Sequence, residues 1–249
     1  MKNIFYIILV VICGLSSCKK ATDRTCWKGS GEPATKIVQL DDFSRIVVKE
    51  KIELTLIQDT ANYLEIEGFA NMNDLIQTEI KEGELTIKNE NKCDFLRNYS
   101  KKGIAMKLHF KDIDFIDFHG TEPLFTQGVI TTDRLEFQCI DGAGTVQLHV
   151  NVHEFNAVQG NGFGNYIVTG TCHQSNQILA NNGFCDALGL TVTGSLAVVN
   201  RSQAHGKFNV SGTQEVRLQT TAGGDIMYRG EAVDLQKSEL GTGKIYQIN

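Results

Sequence analysis

Gly144-Thr145-Val146-Gln147-Leu148, Gly164-Asn165-Tyr166-Ile167-Val168, Gly206-Lys207-Phe208-Asn209-Val210, Gly224-Asp225-Ile226-Met227-Tyr228 and Gly243-Lys244-Ile245-Tyr246 are five versions of one pattern. Each has a glycine, a polar residue, and then apolar residues in alternation. Cys185-Asp186-Ala187-Leu188 stands in the same place between the second and third versions. Taken at 144, 164, 185, 206, 224 and 243, the anchors are 20, 21, 21, 18 and 19 residues apart. Self-similarity at about 20 residues marks a solenoid, in which each repeat buries its apolar side only against its neighbours.

Between the anchors lies a second set of short alternating segments. They are Leu135-Glu136-Phe137, Phe155-Asn156-Ala157-Val158, Gln177-Ile178-Leu179, Leu196-Ala197-Val198-Val199, Val216-Arg217-Leu218 and Val233-Asp234-Leu235. Period-two alternation with almost no 3.6-residue signal reads as strand. Glycines, together with Asn161, Asn165, Asn181, Asn182 and Asn200, suit left-handed turn conformations. The expected fold is all-β, a parallel β-helix or β-solenoid with coils of about 20 residues over 120–249. Period two does not assign strand direction, so an antiparallel meander or sandwich stays open at this point.

Upstream, the alternation continues in a different composition. Phe43 to Val48, Ile52 to Gln58, Tyr63 to Glu67, Glu84 to Lys88 and Ile104 to Phe110 read as strands, and Asn71 to Ile76 is the one candidate helical turn. Residues 18–119 hold 16 basic and 18 acidic residues among 102, whereas 120–249 hold 7 and 11 among 130. Eighteen of the 24 glycines fall in the second stretch. The division expected is therefore a more charged β region at 36–119 followed by the glycine-rich solenoid at 120–249.

Residues 1–17 carry Lys2, an apolar run from Ile4 to Leu15, and the small Ser16 and Ser17. That order reads as a secretory signal peptide, and the run is shorter than the roughly 20 residues a membrane span needs. Leu15-Ser16-Ser17-Cys18 resembles a bacterial lipobox, which makes Cys18 the expected lipid-attachment residue. Residues 18–35 then form a tether, and the partner expected first is the membrane, through that anchor. The location this implies is the outer membrane, facing the periplasm or the cell surface. An exported compartment permits disulfides. Cys26 and Cys93, both in polar turn-like surroundings, are the candidate pair. Cys139, Cys172 and Cys185 lie in the glycine-rich part and read as buried thiols.

A family resemblance rests on Phe43-Ser44-Arg45-Ile46-Val47-Val48, Ile52-Glu53-Leu54-Thr55-Leu56-Ile57-Gln58, Asn73-Asp74-Leu75-Ile76, Gly83-Glu84-Leu85-Thr86-Ile87, Tyr228-Arg229-Gly230-Glu231-Ala232-Val233 and Gly241-Thr242-Gly243. In these the chain, over about residues 36–249, resembles the putative auto-transporter adhesin, head GIN domain family of Bacteroidetes-type lipoproteins. The resemblance implies a β-helical fold and an adhesin-like role, and no catalytic signature.

The chain is 41% hydrophobic and 21% charged with a net charge of -5, so it folds and lacks the basic footprint of a nucleic-acid binder. Its densest polar cluster is Asp112, Asp114, Asp117, His119 and Glu122. Paired carboxylates on one strand face are what a carbohydrate-active β-helix enzyme uses, with Asp112 and Asp114 sharing that face by alternation. Lys111, Ile113, Phe115 and Phe118 are interleaved with them as in an ordinary amphipathic strand. His149 and His153 bracket a strand end. No Gly-x-Ser-x-Gly elbow, CxxC pair or phosphate loop occurs, so no catalytic residue, metal ligand or cofactor is assigned. The expected function is non-enzymatic: an envelope lipoprotein whose repetitive face binds glycans or envelope proteins. A polysaccharide-active enzyme and a periplasmic assembly factor are the alternatives.

Overall fold

A computed structural model describes residues 30–91 and 104–249, which are almost entirely strand. The elements are β1 (Pro33–Gln39), β2 (Arg45–Glu50), β3 (Glu53–Gln58), β4 (Tyr63–Phe69), a one-turn helix α1 (Ala70–Asn73), β5 (Ile76–Lys81), β6 (Glu84–Asn89), β7 (Ala105–Phe110), β8 (Phe115–Gly120) and β9 (Leu124–Gln127). They continue as β10 (Ile130–Ile140), β11 (Thr145–Gly160), β12 (Asn165–Ala180), β13 (Phe184–Asn200), β14 (His205–Asn209), β15 (Glu215–Thr220), β16 (Ile226–Arg229), β17 (Asp234–Glu239) and β18 (Ile245–Gln247).

Every pairing among β8 to β18 is parallel, which sets aside the antiparallel meander. The chain winds into a β-solenoid of about seven turns. In β11 the inward residues are Val146, Leu148, Val150 and Val152, and then the phase shifts so that Phe155, Ala157 and Gln159 point in. That shift at 153–154 is a corner, so one long strand supplies two sides of a coil. A short turn, 161–164 after β11, makes the return.

Stacking at one position per coil produces side-chain columns. Leu85, Ile46, Ile116, Phe137, Ala157, Gln177, Val198 and Leu218 form one, all nearly fully buried. Burying each branched aliphatic or aromatic side chain in it contributes about 1.5–3 kcal/mol. The column ends at Lys237, which is exposed in the last coil. The polar Gln177 is held inside by hydrogen bonds: the Tyr166 hydroxyl donates to its Oε1 at 2.5 Å, and its Nε2 donates to Ser175 Oγ at 3.1 Å.

The turn glycines form a second column: Gly144, Gly164, Gly183, Ala204, Gly224 and Gly243. This corrects two of the anchors read from sequence. Cys185 lies opposite Tyr166, and Gly206 lies opposite Cys185, so each stands two residues past the turn. The cause is β13, whose register against β12 slips between Ile167 and Thr169 and again between Cys172 and Gln174. The asparagines are corrected too. Of the five expected in left-handed turns only Asn161 has positive φ, at 49°. Asn181 and Asn200 are buried instead, and donate to the turn carbonyls of Gly164 at 3.0 Å and Ala204 at 2.7 Å.

The more charged β region supplies the first coils and the cap of the same stack. β2 pairs in parallel with both β6 and β8, and β3 with both β7 and β9. The coil made by β2 and β3 therefore sits between strands that come later in the chain. β4 then lies antiparallel on β7, β1 on β4 and β5 on β6, closing that end of the solenoid. β1 begins at Pro33, inside the stretch read as tether.

Candidate binding surface

Cys18, Cys26 and Cys93, the residues read from sequence as lipid attachment and disulfide, lie outside the described residues. The three described cysteines, Cys139, Cys172 and Cys185, are free and buried. Burial pushes the Cys139 and Cys172 thiols up to about 12, Cys139 with a smaller contribution from Asp117. Cys185 is raised further, again by burial.

The carboxylate cluster does not assemble. Asp112 and Asp114 were expected on one strand face. They lie instead, exposed, in the turn between β7 and β8, because β7 ends at Phe110 and β8 begins at Phe115. Asp117 is on β8, where its Oδ2 meets Nε2 of His119 at 2.9 Å, and Glu122 is in the turn beyond the far end of β8. Among the described residues no group of three or more His, Cys, Asp or Glu side chains is placed to hold a metal ion. A second pair joins Asp59 Oδ2 to His109 Nδ1 at 2.8 Å, with the Tyr63 ring stacked on the imidazole at 4.0 Å. The Thr60 backbone N–H, followed by this imidazole, lowers the Asp59 pKa.

His149 and His153 are not at a strand end; both sit within β11 on its solvent side. Their neighbours one coil up make them part of a larger arrangement at the 153–154 corner. Thr131, Asn151, Thr171 and Thr191 stack in one outward column, and Thr171 Oγ1 donates to Asn151 Oδ1 at 2.8 Å. His153 stacks on His173 with ring centroids 5.0 Å apart, and His173 Nδ1 pairs with Thr193 Oγ1 at 3.1 Å. Arg134, Glu154, Gln174 and Ser195 make a third column. Around the corner, Asn176 Nδ2 donates to Asn156 Oδ1 at 2.9 Å, and Asn156 Nδ2 to Glu154 Oε1 at 2.6 Å. On the other side, His149 Nδ1 meets Thr169 Oγ1 at 2.7 Å.

Gly194 makes room for this arrangement, since a Cβ there would stand 2.6 Å from Cε1 of His173. Asn151, His153, Thr171, His173, Gln174, Thr191 and Thr193 are all exposed. The strip is rigid because each rung is fixed by the parallel ladder beneath it and tied laterally to the next.

The strip runs into a belt almost without charge. From Phe155 to Asn200, 46 residues, the only Asp, Glu, Lys or Arg is Asp186, whereas the chain's 21% average would place about ten there. Sequence reading missed the strip because it is invisible until the coils are in register. The signal available was the recurrence of Asn151, Thr171 and Thr191 at intervals of 20 residues.

Comparison with known proteins gives the fold a context. The family model described as "Putative auto-transporter adhesin, head GIN domain" matches residues 42–232. A crystal structure of a putative adhesin from Bacteroides fragilis is 20% identical, with a TM-score of 0.77 over 89% of this chain and 100% of that one. One of a putative lipid binding protein from Parabacteroides distasonis is 17% identical, with a TM-score of 0.66 over 89% and 100%. A putative adhesin from Parabacteroides merdae is 17% identical, with a TM-score of 0.58 over 89% and 98%. No curated protein matches. At these identities the solved structures speak for the fold alone.

Proposed function

The chain belongs to the head GIN domain family of putative auto-transporter adhesins, and from that premise we propose that it is a non-enzymatic, adhesin-like envelope lipoprotein binding glycans or proteins through the polar corner of its solenoid. The observation that carries this reading is the strip built on Asn151, His153, Thr171, His173 and Thr191: exposed, hydrogen-bonded side to side, and repeated coil after coil. Parallel strands repeat at about 4.8 Å, so such a strip offers the same groups at regular intervals to an extended partner. The anchoring half of the proposal rests on the Leu15-Ser16-Ser17-Cys18 sequence, and the acyl chains on Cys18 hold the body at the outer membrane. No helix among the described residues is long and apolar enough to cross a membrane.

Two experiments test it. Labelling cells with a clickable fatty acid should mark the wild-type protein and leave Cys18→Ser unlabelled and released; equal labelling of both contradicts the anchor. Purified protein, presented to arrays of host and envelope glycans and proteins, should bind a subset of them. Silence across all arrays contradicts the binding role.

A further inference from the structure

We propose that the corner strip binds a linear, uncharged glycan lying along the solenoid axis, with successive sugars on successive coils. This inference rests on the binding role proposed above and names the ligand class for that same surface.

Three observations point to this occupant. The first is charge. An anionic glycan needs cations to hold its carboxylates or sulfates, and the rungs at 171–176 and 191–195 carry no Lys, Arg, Asp or Glu. The charged groups of the strip, Asp133, Arg134 and Glu154, are confined to its lower edge, where Arg134 Nε stands 3.9 Å from Glu154 Oε2. The upper rungs are hydroxyls, amides and imidazoles, the groups that exchange hydrogen bonds with sugar hydroxyls without a net charge to satisfy.

The second is spacing. Strands repeat at about 4.8 Å, close to the rise of one pyranose in an extended chain. Thr131, Asn151, Thr171 and Thr191 thus offer one donor and acceptor per sugar in a straight line. The third is the stacked pair His153 and His173, whose rings, 26° from parallel, give the C–H face of a sugar an apolar surface beside the polar column.

A peptide partner fits less well. An extended peptide binds a sheet by adding a strand to an open edge, and the corner has none. The backbone of Thr131 to Thr191 is paired in the ladder from one coil to the next.

Calorimetry on the whole folded protein tests this, with neutral cello-, chito-, manno- and maltohexaose as probes, and oligogalacturonate and heparin fragments as acidic ones. At least one neutral hexaose should bind, and no acidic probe should bind more tightly. Thr171→Lys, which places a long charged side chain in the middle of the strip, should weaken that binding tenfold or more. His173→Ala should weaken it several-fold, and Asn182→Lys at the opposite turn should leave it unchanged. Circular dichroism confirms that the variants fold. Binding of acidic probes only, no binding of any hexaose, or undiminished binding by Thr171→Lys overturns the inference. If the arrays register binding that Thr171→Lys and His173→Ala do not affect, this inference fails while the broader binding role stands. Silent arrays and silent calorimetry end both.

Discussion

Gly183 lies so close beneath Gly164 that a Cβ added to it would stand 2.0 Å from the Gly164 carbonyl oxygen. The same approach recurs along the turn column, where a Cβ at Gly224 would be 1.9 Å from the Ala204 oxygen and one at Gly243 2.2 Å from the Gly224 oxygen. These are backbone atoms fixed by the coil below, so no side chain can step aside. Coils close enough to pair their strands leave no space for a methyl group at these turns. The glycine-rich sequence is therefore a packing requirement before it is a matter of turn conformation.

Gly183→Ala should accordingly destabilise the fold by about 1–3 kcal/mol, the usual range for forcing an extra carbon into a close-packed position. Asn182→Ala, next to it and exposed, should change stability by less than about 0.5 kcal/mol. Urea unfolding midpoints of the two variants, measured side by side, check this.

Asn200 is fully buried, donating to the Ala204 carbonyl at 2.7 Å and accepting from the Ser202 N–H at 3.1 Å. Removing its amide leaves both groups without a partner in a site that water does not reach. Asn200→Ala should cost about 1–3 kcal/mol. A midpoint unchanged from wild type would show that water enters the turn after all.

Cys139 and Cys172 titrate near 12 in the folded protein against an ordinary value of 9.0. Between those limits the folded state keeps thiol protons that the unfolded state has released, so stability falls as pH rises. It is fully present below about pH 9 and lost progressively toward 12. Two results should follow. Ellman's reagent at pH 8 should react with neither thiol until the protein is unfolded. Unfolding midpoints should drop between pH 9 and 11, and drop less in Cys172→Ala.

Lys237 stands at the top of the column that runs through Leu218 and Val198, and its Nζ reaches the Tyr228 hydroxyl at 3.4 Å. Glu239, one step along, accepts from Ile245 N–H at 2.8 Å and pairs with Lys244 at 3.1 Å. Polar groups thus take the place of core residues where the described stack stops, as an end coil requires. Lys237→Leu with Glu239→Leu should make the protein self-associate more strongly than wild type as concentration rises. Sedimentation velocity reads this directly.

Much of this architecture is legible in the sequence, because a coil is a local repeat. Glycine turns, alternation and the near-absence of helix signal all appear within a window of 20 residues. Two features are not local. The register at Cys185 and Gly206 depends on slips within β13, which alternation alone does not reveal. The interleaved order of β2, β3, β6 and β7, and the antiparallel cap of β1, β4 and β5, arise from pairings between residues far apart in the chain. The polar corner was hidden for the same reason. Thr171 and Thr191 carry no signal singly, and only the parallel ladder brings them into line with Asn151.

The claim at the centre of this account is that partners dock on that corner. Hydroxyl-radical footprinting of the protein, free and bound to whichever array partner it selects, tests the claim most directly. His153 and His173 should be shielded in the complex, while Phe163 at the opposite turn and Tyr246 in the last coil should oxidise as in the free protein. Shielding of Phe163 or Tyr246 with His153 and His173 unchanged would contradict it.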